Sequence, residues 1–241
     1  MCGRITYYIS PAEIVAAFRL FDTDGLDALE ARYNLPPTGS VACVRLNTES
    51  ADREAFVAKW GLIPSWAKDE KIGHGCSNAR ANTVDTKPAF RSAYKRQRCL
   101  VAASGFYEWD QVTPLAKGEK KQPYYFTMAD SSPMTFAGLW EFWKPEGNEP
   151  VTSCTIITTD PNELMAPLHD RLPVILPSDL WDVWLDPDAD PKALKGLLVP
   201  IESDALQCWP VTKDMNATVK NKQRNDSPEF IKPIQLGKTL V

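Results

Sequence analysis

The chain has 241 residues, 44% of them apolar and 24% charged, a balance that can bury a core, and its formal net charge of −4 argues against an indiscriminate nucleic-acid binder. No apolar run is long enough to span a bilayer, and the N-terminus lacks the basic and apolar segments of a secretory signal, so a cytoplasmic protein away from membranes is expected. Twenty prolines predict rigid loop corners and short helices.

In chain order, "RITYYIS" alternates and is rich in β-formers, which predicts a strand just after Cys2. Ser10 as N-cap and Pro11 at the first helical position open a helix that runs through "AEIVAAFRLF". "VACVRL" and "EAFVAKW" are strands joined by the polar turn "NTESADR", and "GLIPSWAKDEKIGHG" is a loop. Trp60, at a strand end, is expected in the core, whereas Trp66 is the better candidate to stack on an unpaired base. In "CSNARAN" Asn78 and Arg80 share a face if the chain is extended, pairing an amide that can orient a polar intermediate with a guanidinium suited to phosphate. "KPAFRSAYKRQR" has helical spacing, with Phe90 and Tyr94 on one face and the basic residues on the others.

Strands follow at "CLVAA", "GFYEWD", "PYYFTM", "MTFAGLWEFW", "SCTIITT" and "PVILP", with the lysine-rich "QVTPLAKGEKKQ" as a hairpin loop. "PSDLWDVWL" and "DPKALKGLL" predict short late helices. Without repeats or a linker of shifted composition, residues 1–241 read as one α+β domain with a largely antiparallel sheet.

In "GFYEWD", Phe106 and Glu108 point to one face and Tyr107 and Trp109 to the other. A carboxyl group held against aromatic surface is desolvated and suited to act as a general acid, but from this stretch alone the plainer expectation is an edge-strand glutamate that reaches water. "LHDRLP" carries His169; in extended chain the adjacent Asp170 does not face the same way, so His169–Asp170 is no automatic dyad, and any acid–base imidazole is a choice between His169 and His74. Cys2, Cys43, Cys76, Cys99, Cys154 and Cys208 form no Cys-x-x-Cys pair and are expected as reduced thiols, mostly in the core. Neither histidine is spaced with a cysteine pair, so no metal and no cofactor is expected. Six basic residues between Arg80 and Arg98 face one acid, Asp85, and four between Lys213 and Arg224 face Asp214; two basic segments on an acidic body suit a localised anion groove.

Removal of Met1 would give Cys2 an α-amine, of ordinary pKa about 7.7–8.0, two carbons from its thiol. Both nucleophiles can then close on one aldehyde carbon, first as an imine and then as a thiazolidine. An abasic deoxyribose supplies such an aldehyde when its ring opens.

The stretches "MCGR", "RYNLPP", "WGLIPSWAKD", "SNAR", "KPAFRSAYKRQRCLVAASGFYEW", "TTDPNELMAPLHDRLPVIL" and "NDSPEFIKPI" resemble, in order and over nearly the whole chain, the SOS-response-associated peptidase (SRAP) family. The resemblance implies a barrel-like β-sheet core with peripheral helices, and covalent capture of abasic sites in single-stranded DNA or at single-to-double-strand junctions by a monomer, nucleoid-associated in a bacterium. It implies Cys2 as nucleophile, Asn78 as the group that orients the sugar adduct, Glu108 as acid–base and His169 as an aid to imine formation and reversal. Arg4, Asn34, Arg80 and Arg171 become the DNA-facing set, with Trp66 near the groove, and the peptidase label refers to self-removal of the residue before Cys2. Gly39 and Ser40, Asn82, Ala102 and Ser104 depart from the family's usual residues, which implies altered DNA contacts with the chemical positions intact. An N-terminal-nucleophile amidohydrolase would also begin at Cys2, but the Asn-Gly oxyanion loop of the glutamine amidotransferases is missing from the sequence. A non-covalent reader of damaged or modified DNA would leave Cys2, Glu108 and His169 without a shared purpose.

Overall fold

The computed structural model describes residues 2–23, 25–147, 149–221 and 223–236. The first strand, β1 (Ile5–Tyr7), leads into α1 (Pro11–Phe18). Ser10 caps this helix as predicted: its hydroxyl accepts the Glu13 N–H at 3.2 Å, and the Glu13 carboxylate accepts the Ser10 N–H at 2.8 Å. The helix ends three residues before the sequence pattern does. Arg19 turns into the left-handed region at φ 56 and the Leu20 N–H returns to the Val15 carbonyl, which folds Leu20 back onto the core.

The alternating segments that follow become β2 (Arg32–Leu35), β3 (Ser40–Leu46), β4 (Arg53–Trp60) and β5 (Asn78–Arg80). After the short helix α2 (Arg91–Arg96) come β6 (Arg98–Ala103), β7 (Gly105–Trp109), β8 (Pro123–Met128), β9 (Met134–Trp143), β10 (Val151–Thr159) and β11 (Leu172–Pro173). The helices α3 (Trp181–Leu185) and α4 (Pro191–Gly196) precede β12 (Leu206–Pro210). "PVILP" yields only the two-residue β11 and a single bridge from Ile175 to Phe136, because its prolines supply no ladder donors.

Five strands close on one another. β4 pairs with β3, β3 with β6, β6 with β9 and β9 with β10, all antiparallel, and β10 returns to β4 in parallel. The result is a barrel that buries its own edges, extended at the β10 side by β5 and β11. A second antiparallel sheet runs β12-β8-β7-β1-β2. The expected α+β fold with a largely antiparallel, barrel-like core and peripheral helices is what the chain adopts.

Side-chain alternation sorts the core into layers. Val41, Cys43, Cys99, Val101, Phe136, Cys154 and Ile156 of the barrel strands pack with Ile5, Phe106 and Phe126 of the second sheet, and Cys2 lies in the same cluster. The intervening residues, among them Val44, Leu100 and Leu139, pack instead with Phe18, Tyr94, Trp181 and Trp184 of the helices. The far face of the second sheet, Tyr107 and Tyr125, is covered by Val211, Met215 and Phe230. All six cysteines are free; Cys43, Cys99 and Cys154 lie in the same core cluster, and Cys208 alone is half-buried.

Gly105 permits the junction between barrel and sheet. A Cβ there would lie 2.4 Å from the Phe126 carbonyl oxygen and 2.4 Å from the Tyr125 hydroxyl. Arg98 leaves the basic groove expected from its segment. It is buried, and its guanidinium donates to the carbonyl oxygens of Tyr94, Lys95, Trp184 and Asp186, tying α2 to α3.

Candidate active site

Pairing of Ile5 with Leu35 on one side and with Phe106 on the other fixes β1 between β2 and β7, and so holds Cys2 at the core. Cys2 is 1% exposed. Burial pushes its thiol pKa well up, and the Glu108 carboxyl group pushes it the same way, so the sulfur is held as a neutral thiol. Register places Asn78 opposite Ile156 at the start of β5, from where its Nδ2–H donates to the Cys2 carbonyl oxygen at 2.8 Å. The Asn78 Oδ1 is buried and has no hydrogen-bond partner among the described residues.

Glu108 shares the Phe106 side of β7, as alternation requires, while Tyr107 and Trp109 face the other layer. It does not reach water: it is 2% exposed, because its neighbours close over it. Burial raises its carboxyl pKa and favours the protonated form. His169 Nε2 stands 3.8 Å from Glu108 Oε1. The backbone N–H of Arg171 donates to Nδ1 at 3.0 Å, which leaves Nε2 as the proton-bearing nitrogen of the neutral ring, turned toward Glu108. Burial lowers the imidazole pKa and keeps the ring neutral.

Asp170 does meet His169, because the chain is not extended there. After the turn at residues 163–168 the chain bends at Asp170, and Asp170 Oδ1 lies 3.0 Å from His169 Nδ1, placed to pair with that nitrogen when it takes up a proton. Sequence alternation misses such a contact because it assumes extended chain.

The expected phosphate-facing residues divide. Arg80 and Arg171 line one cleft of about 190 Å³ together with Asn82, Asp160 and Lys195, and Arg171 donates to Asp160 at 2.6 Å. Lys195, contributed by α4, was invisible in the sequence as a member of this group. Arg4 is half-buried; it donates to the Met215 carbonyl oxygen at 3.1 Å and to Asn34 Oδ1, and its guanidinium lies 5.6 Å from the Trp109 ring centroid. Asn34 faces inward. It is 1% exposed, and its amide donates to the carbonyls of Met215, Ala217 and Asn225, so it acts as a brace beneath Arg4. Trp60 is fully buried, Trp66 is 58% exposed, and His74 sits exposed in the 3₁₀ turn Glu70–Gly75.

Cys2, Asn78, Glu108 and His169 thus form one cluster: Asn78 bonds to Cys2, the Glu108 carboxyl group acts on the Cys2 thiol, and His169 faces Glu108. The arrangement can hold a neutral thiol beside a protonatable carboxyl group and a neutral imidazole, with an unused amide oxygen, which suits condensation chemistry at an electrophilic carbon.

The family model described as SOS response associated peptidase (SRAP) matches residues 1–218. The abasic site processing protein YoqW of Bacillus subtilis (strain 168) is 40% identical over 233 residues, 96% of this chain and 99% of that protein. The abasic site processing protein HMCES of Gallus gallus is 32% identical over 277 aligned positions, 98% of this chain and 79% of that protein. Among solved structures, a protein from Bacteroides thetaiotaomicron superposes with a TM-score of 0.83 at 25% identity, covering 97% of this chain and 100% of the other.

Proposed function

The chain belongs to the SOS response associated peptidase (SRAP) family, and on that premise we propose that it processes abasic sites in DNA by linking them covalently to Cys2. One observation carries the reading: a cysteine next to the initiator position, an amide, a carboxyl group and an imidazole form one cluster, with Cys2 and Glu108 buried and Asn78 and His169 half-buried beside them. Hydrolysis of the Met1–Cys2 bond, by self-cleavage or by methionine processing, frees the Cys2 α-amine. That amine attacks C1′ of the ring-opened sugar, water leaves, and an imine forms. The Cys2 sulfur then bonds to C1′ while the thiol proton passes to the nitrogen, closing the thiazolidine.

The electrostatics favour this order. A thiol held neutral by burial does not compete as a thiolate, so the amine reacts first and the sulfur gives up its proton only as the C–S bond forms. Glu108, with its pKa raised, supplies the proton that the departing hydroxyl needs. The carboxylate left on Glu108 then takes up the proton released by the amine, and neutral His169, with its Nε2–H turned toward Glu108, stabilises that carboxylate and so assists imine formation and its reversal. Asn78 Oδ1, lacking a partner among the described residues, accepts a hydrogen bond from the sugar adduct. Arg80, Arg171 and Arg4 engage phosphates, and Trp66 stacks on a neighbouring base. Cys2 and Glu108 are buried, and an unpaired strand can bring a sugar without its base to such groups more readily than a duplex can, which favours single-stranded DNA and its junctions, bound by a monomer in the cytoplasm or at a nucleoid.

A denaturing gel tests this. Protein whose N-terminus is confirmed to be Cys2 is mixed with a single-stranded oligonucleotide containing one abasic site. A heat- and detergent-stable shifted band is expected for the wild type and not for Cys2→Ala or for a variant with extra N-terminal residues. No stable band from the wild type would refute capture and bring the non-covalent reader forward.

A further inference from the structure

β9 separates two environments. Met134 and Phe136 belong to the core cluster that holds Cys2, and Thr135 between them points the other way. Next to Thr135, between β9, the segment after β11, α3 and the turn before β12, lies a cleft of about 650 Å³. Ile175, Leu176, Trp181 and Ile201 make apolar walls, and Asp130, Glu202 and Asp204 stand exposed at its rim with no lysine or arginine among the residues that line it. The volume falls within the roughly 300–1,000 Å³ typical of small-molecule sites. At the floor, Thr135 is 2% exposed and its Oγ1 has no hydrogen-bond partner among the described residues. A buried hydroxyl in that condition is unfavourable, and a polar group brought in by a ligand would relieve it.

We propose that this cleft binds a small organic cation: a protonated amine at the carboxylate rim, an apolar and preferably aromatic body against Ile175 and Trp181, and a distal hydroxyl that reaches Thr135. Each part of the ligand answers a separate feature of the cleft. The negative rim selects a cation, the walls select an apolar body, and the unsatisfied hydroxyl selects a second polar end. The site is separate from the group formed by Cys2, Asn78, Glu108 and His169, none of which lines it, although Ile175 in its wall also belongs to the core cluster that holds Cys2.

Three probes separate these features: tyramine, phenethylamine without the hydroxyl, and 3-(4-hydroxyphenyl)propionate with the charge reversed. Amide NMR titration of the full chain is expected to show saturable shifts at Thr135, Ile175 and Ala205 with tyramine, affinity about fivefold weaker for phenethylamine, and no binding of the anion. Thr135→Val, nearly isosteric, should reduce tyramine to the phenethylamine affinity, whereas Glu202→Gln with Asp204→Asn should weaken both amines about fivefold. The proposal is overturned if tyramine gives no saturable shifts at the cleft up to about 20 mM, if the anion binds as well as the amine, or if Thr135→Val leaves the ratio between the two amines unchanged. The same spectra report whether each variant is folded, and capture by Cys2 is measured separately by the gel.

Discussion

Replacing Asn34 by alanine should weaken the fold before it weakens DNA binding. The Asn34 amide donates to the carbonyl oxygens of Met215 at 3.1 Å, Ala217 at 3.1 Å and Asn225 at 2.8 Å, while its Oδ1 accepts from the Arg4 guanidinium. Two amide hydrogens at about 1 kcal/mol each, plus about 1.5–3 kcal/mol for the charge-assisted bond to Arg4, give about 3.5–5 kcal/mol. Water can reach the part-buried contacts to Ala217 and Asn225, which brings the expected loss to about 3–4 kcal/mol. For a domain of 150–250 residues each kcal/mol moves Tm by about 2–4 °C, so a fall of about 6–16 °C is expected. Urea titration gives the free energy directly, and a double-mutant cycle of Asn34→Ala with Arg4→Ala should return a coupling of about 1.5–3 kcal/mol. A stability change under about 1 kcal/mol, accompanied by a large loss of DNA affinity, would refute the brace and return Asn34 to the DNA-facing set.

Gly105→Ala should cost about 2–4 kcal/mol, read by urea midpoint, because the new methyl meets the Phe126 carbonyl at 2.4 Å and backbone cannot rotate away. His169→Asn should flatten the pH dependence of stability. Burial depresses the folded-state pKa below its unfolded value near 6.5, so the unfolded chain binds more protons in that window; the contribution is fully present above about pH 6.5 and is lost as pH falls through the folded value. Urea midpoints from pH 5 to 8 should therefore converge for wild type and variant at the alkaline end after correction for a constant offset. Trp66→Ala should leave stability within about 0.5 kcal/mol while weakening single-stranded DNA binding by about 1–3 kcal/mol, measured by fluorescence anisotropy, since the side chain is 58% exposed.

Local pattern was legible where a residue's role depends on its own strand. Alternation in "GFYEWD" assigned Phe106 and Glu108 to one face and Tyr107 and Trp109 to the other, and the Ser10–Glu13 spacing located the first helix cap. Roles set by distant partners were not legible. Arg98 looked like one cation of a groove because its carbonyl acceptors in Trp184 and Asp186 lie 86 and 88 residues away. Asn34 was indistinguishable from a surface amide for the same reason, with acceptors 181–191 residues distant. Closure of the barrel depends on the parallel pairing of Cys154 with Trp60, which no periodicity within either strand announces. The contact of Asp170 with His169 was missed because a bend replaces the extended chain that alternation presumes.

The placement of the thiols turns the molecule into its own unfolding clock. Cys43, Cys99 and Cys154 sit on three different barrel strands, all shielded from solvent, whereas Cys208 is half-buried on the outer sheet. An alkylating reagent applied to the native protein should therefore mark Cys208 first and the barrel thiols only when the strands part. Counting added masses against time would then distinguish loosening of the outer sheet from rupture of the barrel, with no engineered probe.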